Sequence, residues 1–288
     1  MYRIRKTLCP ESIVPTGVSK TIILKNMKTK LSIQKPARVG TLALLLLAVI
    51  LTPQKVSAQA PKVKNIVLVH GAFADGSGWS AVYSILTKKG FKVTVVQNPM
   101  TSLEDDVATT KLALDKQDGP TILVGHSYGG AVITQAGDHP KVAALVYVAA
   151  FQPDKGETVL QWVMTAPPAP EGGILNPDEK GMVYYDLAKF HAGFGADIPK
   201  AQAEFMAASQ GAFNVKGFVT PLTVAAWKTK PSYAVVSTED KTLVPSIQRA
   251  MYKRSNTKVT EVKGSHAVFI SQPEQVAKVI VNAATAVN

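Results

Sequence analysis

The feature that most constrains this chain is a strand that runs directly into a glycine-flanked serine and then into a helix. Thr121-Ile122-Leu123-Val124 is a short apolar run of strand type, Gly129-Gly130-Ala131-Val132-Ile133-Thr134 reads as the start of a helix, and only Gly125-His126-Ser127-Tyr128 lies between them. So sharp a turn strains the backbone at the serine and leaves no room for side chains two positions to either side, so glycine is needed at 125 and 129. It aims the serine hydroxyl out of the C-terminal edge of a sheet whose strands are joined through helices. The G-x-S-x-G spacing alone carries little, since chance supplies it in about one chain in ten of this length. The flanking strand and helix supply the specificity.

The chain around this turn alternates in the same way. Strands are expected at 65–69, where the run stops at His70-Gly71, and at 91–97, 142–150, 233–237 and 258–262; helices are expected at 79–89, closed by Gly90, at 103–116 and at 275–286. The expected fold is therefore α/β, a mainly parallel central sheet with helices on both faces, spanning 61–288. Between 151 and 220 the β-periodicity lapses, and Pro153, Pro167, Pro168, Pro170, Pro177 and Pro199 interrupt helical pieces rich in aromatic residues and Met. Long irregular insertions in compact domains usually serve function, and this one reads as an inserted helical lid at about 152–220.

A serine hydroxyl becomes a nucleophile only beside a base, and the base needs a partner that fixes its tautomer. Of the five histidines, His70 and His126 flank tight turns, His139 precedes a proline and His191 lies in the insertion. His266 follows the last expected strand, on a loop before the closing helix, where a parallel sheet delivers side chains to its C-terminal edge. The acid should follow the preceding strand, which runs into Thr238-Glu239-Asp240-Lys241. Asp240 is the first candidate, with Glu239 and Asp154 as alternatives. The chain order serine, acid, histidine excludes the chymotrypsin-like and subtilisin-like arrangements. The amide of Tyr128 at the helix start can donate to an oxyanion, and Gly71 lets a second amide, Ala72 first and Phe73 second, face the same point. Phe73 and Trp162 are the candidate substrate contacts.

The formal charge of +12 suggests a nucleic-acid or membrane partner until its distribution is read. Residues 1–60 carry ten Lys and Arg against a single acid, Glu11, which leaves only +3 for the remainder and no basic stripe; nucleic acid is not an expected partner. The basic stretch, the apolar run 42–51 and Ala58-Gln59-Ala60 have the form of a secretory signal cleaved after Ala60, with Met27 as the expected true start. The apolar run is shorter than the roughly 20 residues that span a bilayer, so an exported protein, periplasmic or secreted and without a lasting anchor, is expected. Cys9 is the single cysteine and lies in this leader. The remainder can hold neither a disulfide nor a thiolate metal site, and no H-x-x-x-H or G-x-G-x-x-G pattern points to a metal or dinucleotide. No cofactor is expected.

Taken together these residues resemble the α/β-hydrolase superfamily over essentially the whole of 62–288. The closer resemblance is to the small esterases related to plant methylesterases and hydroxynitrile lyases. It is carried by Val69-His70-Gly71-Ala72-Phe73 with Trp79, by Gly125-His126-Ser127-Tyr128-Gly129-Gly130, and by Ser265-His266-Ala267-Val268-Phe269-Ile270-Ser271-Gln272-Pro273. The lyases of that family typically place threonine after the first histidine and lysine after the catalytic one, where this chain has Gly71 and Ala267. The resemblance thus implies an esterase that works through an acyl-enzyme on a small or medium apolar carboxylic ester. The alternatives are a lyase, or a small-ligand-binding protein that keeps the fold without turnover.

Overall fold

The computed structural model describes residues 63–287. Cys9, Met27, Ala60 and the apolar run of the leader lie outside the described residues. No helix among the described residues is long and apolar enough to cross a membrane.

Four short β-branched runs open the domain and pair in parallel: β1 (Asn65–Val69), β2 (Lys92–Val96), β3 (Thr121–His126) and β4 (Val142–Val148). After an insertion come β5 (Met182–Val183) and β6 (Phe213–Asn214), then β7 (Ser232–Ser237) and β8 (Lys258–Val262). The six-stranded sheet has the order β2-β1-β3-β4-β7-β8. Side chains on a strand alternate between the two faces, and both faces here are covered, so the central strands read as unbroken apolar runs. Val67, Val69, Leu123, Leu145, Tyr147, Ala234 and Val236 pack into one core; Ile66, Leu68, Ile122, Val124, Val146, Val148 and Val235 pack into the other.

Helices α1 (Ser80–Lys88), α2 (Leu103–Asp115) and α3 (Gly129–Ala136) alternate with the first strands. The insertion carries α4 (Val159–Val163), α5 (Leu187–Gly193), α6 (Lys200–Ser209) and α7 (Lys216–Val219); α8 (Pro245–Arg254), α9 (Val268–Ser271) and α10 (Pro273–Ala286) complete the chain. Val82 and Leu86 of α1 share one core with Val276 and Ile280 of α10, while α2, α3 and α8 share the opposite core with the insertion.

Three local features differ from the sequence reading. The strand expected to reach Ala150 stops at Val148, because Ala149 turns into the left-handed region with φ +45°. Residues 151–220 are not purely helical: β5 and β6 pair antiparallel, Met182 opposite Asn214 and Val183 opposite Phe213, strands too short to show an alternating pattern. Helices α8 and α9 had no counterpart in the sequence pattern.

The strand order reverses between β1 and β3. The chain leaves β1 outward to β2 and returns across it to β3, so the loops after β1 and β3 diverge and open a crevice at the C-terminal edge of the sheet. Val69 at the end of β1 pairs with Gly125 of β3, which brings His70-Gly71-Ala72-Phe73 beside Ser127.

Candidate active site

Ser127 sits at the turn between β3 and α3 with φ +53°, a left-handed conformation that costs a non-glycine residue of the order of 1 kcal/mol or more. Main-chain bonds hold it there: its N–H donates to Val148 O (3.2 Å), and its carbonyl accepts from Gly130 N–H (2.9 Å) and Phe151 N–H (3.0 Å). A Cβ at Gly125 would lie 2.4 Å from Gly129 O, and one at Gly129 would lie 2.7 Å from His70 O, so no larger residue fits at either place. The serine side is packed as tightly against the loop after β1, since a Cβ at Gly71 would lie 2.6 Å from Ser127 Cβ.

The loop after β8 brings His266 Nε2 to 2.8 Å from Ser127 Oγ, and His266 Nδ1 lies 2.7 Å from Asp240 Oδ2. The directions of the protons follow from the acid. Asp240 is buried and accepts from the N–H groups of Thr242 and Leu243 on Oδ1 (2.8 Å each) and from Gln248 Nε2 on Oδ2 (2.9 Å). A carboxylate so surrounded by donors has only acceptor sites left for the imidazole, so Nδ1 carries the proton and Nε2 keeps a lone pair for the serine hydroxyl. Glu239 and Asp154, the alternative acids, are engaged elsewhere, with Lys263 (3.6 Å) and Lys228 (2.7 Å).

The other histidines hold backbone or pair at the surface. His70 Nε2 accepts the Asn98 N–H (3.0 Å), so its Nδ1–H donates to Gly71 O (2.9 Å), and burial holds its pKa below the usual value; the ring ties the loop after β1 to the loop after β2. His126 Nε2–H donates to the carbonyl of His266 (2.9 Å), and its burial holds the ring well below the usual imidazole range. His139 meets Asp115 (3.0 Å) and His191 meets Ile198 O (3.2 Å).

The amides of Ala72, Phe73 and Tyr128 make no hydrogen bond to any acceptor among the described residues, although all three residues are buried. Buried main-chain N–H groups without partners are rare in folded proteins. Phe73 has φ +62°, a conformation that a bulky residue adopts only where its surroundings enforce it. Its ring meets Tyr185 at 5.7 Å and Phe213 at 6.0 Å, Phe213 meets Tyr128 at 4.8 Å, and the edge of Phe194 rests against His266 at 4.8 Å. Aromatic side chains of the insertion thus enclose the Ser127 turn, whose serine is 6% exposed. Trp162 is not part of this cluster: its indole N–H donates to Glu157 (2.8 Å) and the Arg254 guanidinium lies 4.8 Å over its ring.

Two buried groups at the site had no sequence signal. Gln248, on α8, accepts the Ser237 N–H (3.2 Å) while its amide serves Asp240. Asp106, on α2, accepts the Tyr128 hydroxyl on Oδ2 and the Met100 N–H on Oδ1, both at 2.8 Å. Burial, partly offset by these two donors, raises its carboxyl to about 6. The folded protein therefore binds the Asp106 proton more tightly than the unfolded chain, and this group's contribution to stability falls as pH rises from its unfolded value towards 6. Asp106→Asn should lose that slope: between pH 4.5 and 7 the parent should lose about 2 kcal/mol relative to the variant. Urea denaturation of both proteins at the two pH values measures this, and parallel pH dependences would contradict it.

Residues 66–279 match the sequence model of the alpha/beta hydrolase family. The chain belongs to that family. Among the curated relatives of this hydrolase is a pyrethroid hydrolase of Sphingobium wenxiniae, 27% identical over 254 residues that cover 78% of this chain and 89% of the relative. Methylesterase 7 of Arabidopsis thaliana is 39% identical over 108 residues, covering 32% of this chain and 41% of the relative. A crystal structure of a pyrethroid hydrolase from Sphingobium faniae superposes with a TM-score of 0.67 at 26% identity, over 78% of this chain and 98% of that one. These comparisons place the hydrolase on the esterase branch, as an enzyme of the carboxylesterase type.

Proposed function

We propose that the chain is an exported serine esterase that cleaves carboxylic esters of small or medium apolar substrates, with Ser127 as nucleophile, His266 as base and Asp240 as the acid that orients it. The observation that carries the reading is the continuous chain Asp240–His266–Ser127, at 2.7 and 2.8 Å, beside main-chain amides that no acceptor among the described residues uses. Ser127 Oγ attacks the ester carbonyl carbon as His266 Nε2 takes its proton. The carbonyl oxygen becomes an oxyanion and receives hydrogen bonds from the Ala72 and Tyr128 amides, donors already in place and therefore needing no reorganisation. The tetrahedral adduct collapses, the C–O bond to the alcohol breaks, and His266 returns its proton to the departing oxygen. Water then enters and its oxygen bonds to the acyl carbon as His266 takes its proton; the bond to Ser127 Oγ breaks, His266 returns the proton to Oγ, and the acid and free Ser127 result.

Phe73, Tyr128 and Phe213 supply apolar walls, and the inserted segment 152–220 serves as a lid over them. The relatives named as a pyrethroid hydrolase and a methylesterase support a carboxylic ester as substrate. Trp162 contributes less than the sequence suggested, since its polar edge and one face are already occupied. Export rests on the leader, and amino-terminal sequencing of the secreted or periplasmic product should start at Pro61.

A panel of p-nitrophenyl esters of increasing acyl length, run beside labelling with a fluorophosphonate, tests the reading. Turnover on short and medium chains with labelling of the intact protein is expected. Absence of both would overturn it.

A further inference from the structure

We propose that Asp197, in the loop between α5 and α6 of the insertion, is a positioning residue that holds the base His266 in register with Ser127. The inference rests on the reading of Ser127, His266 and Asp240 given above. The residues on either side of His266 are both tied to one short stretch of the insertion, 194–197. Before it, the Ser265 N–H donates to Asp197 Oδ2 (3.0 Å) and the Ser265 hydroxyl donates to Asp197 Oδ1. After it, the Ala267 N–H donates to Phe194 O (3.0 Å), and the Phe194 ring stands edge-on to the imidazole itself.

The serine hydroxyl links the two sides. Its proton goes to Asp197, so a lone pair of Ser265 Oγ faces the Ala267 N–H at 3.2 Å and closes a small ring of hydrogen bonds across the His266 backbone. Without the carboxylate the hydroxyl is free to rotate, and the bond to Ala267 loses its orientation. The sheet side offers less. Ser237 Oγ lies 2.6 Å from the carbonyls of both Gly264 and Ser265 but has one proton to share between them, and the remaining ties on that side go to carbonyls alone, from the Glu239 N–H to Gly264 O (3.0 Å) and from His126 to His266 O. A loop in this position must keep Nε2 2.8 Å from Oγ, and a displacement of about 1 Å between reacting groups can cost a factor on the order of 100 in rate.

Asp197→Ala removes both acceptors. Asp197→Asn keeps one acceptor for the Ser265 N–H and turns its amide towards Ser265 Oγ, which can accept. For p-nitrophenyl acetate, Asp197→Ala should lower kcat on the order of tenfold or more with KM within about twofold of the parent, and Asp197→Asn should recover a large part of the loss. In the free protein, the low-field proton resonance of His266 Nδ1–H, bonded to Asp240, should broaden or shift in Asp197→Ala, a signature that a merely structural tie between loops would leave in place. A kcat for Asp197→Ala within about twofold of the parent, or an unchanged low-field resonance, overturns the assignment. If Asp197→Ala does not fold, Ser265→Ala, which removes the hydroxyl that links Asp197 to the Ala267 N–H, decides by the same two readouts and the same thresholds. Failure of the parent to hydrolyse esters would instead overturn the esterase reading, and the resonance would still test Asp197.

Discussion

Ser127→Ala is expected to abolish labelling by a fluorophosphonate and to lower kcat on p-nitrophenyl esters by a factor on the order of 10⁴–10⁶, with KM changed only severalfold. The fold should survive, because what holds position 127 is main chain: its N–H to Val148 O and its carbonyl to Gly130 and Phe151 are unaffected by loss of the hydroxyl. His266 also keeps its bond to Asp240, so the variant tests the nucleophile and little else. Residual turnover should remain above the uncatalysed rate, since the Ala72 and Tyr128 amides still meet a carbonyl oxygen attacked by water. Stopped assays with a concentrated variant, checked for contaminating esterase by the absence of labelling, measure it. A kcat within about 100-fold of the parent would remove Ser127 from the reaction.

What was legible in the sequence was whatever leaves a periodic or strongly local mark. Buried parallel strands are apolar on both faces, so β1, β3 and β4 stood out as unbroken runs, and the Ser127 turn was marked by glycines whose absent side chains would meet backbone atoms. The positions of His266 and Asp240 beside Ser127 were readable because the end of a parallel strand places whatever follows it at one edge. The supporting groups left no such mark. Gln248 lies on α8, a polar surface helix with only one buried stripe, between Ile247 and Met251. Asp106 is one of three successive acids in the first turn of α2, where acidic residues are favoured at the helix N-terminus anyway, and only its burial separates it from Glu104 and Asp105. Asp197 is an exposed loop residue whose partner lies 68 positions away. Trp162 shows the converse: aromatic residues in an insertion suggest a pocket, but an indole beside an arginine and a glutamate is satisfied where it stands.

Asp240→Asn is the second large effect expected, a loss in kcat on the order of 10³–10⁴ with a modest change in KM. The amide is nearly isosteric, so its oxygen can still accept the Thr242 and Leu243 N–H groups that hold Oδ1. That orientation turns the NH₂ towards His266 Nδ1 and Gln248 Nε2, where the native carboxylate offered an acceptor to both. Imidazole then responds by moving its proton: Nδ1 accepts from the new amide, Nε2 becomes the protonated nitrogen, and the atom 2.8 Å from Ser127 Oγ can no longer take a proton. The imidazolium formed in the parent during attack also loses the adjacent negative charge. The facing donors of Gln248 and the new amide should cost about 1–3 kcal/mol of stability, so rates are compared well below the unfolding midpoint of the variant. Glu239→Gln and Asp154→Asn provide the controls: both side chains pair with surface lysines rather than with His266, and each variant should keep kcat within about twofold of the parent. If Asp240→Asn lost less than about tenfold while one of the controls lost more, the acid that orients His266 would be the control residue.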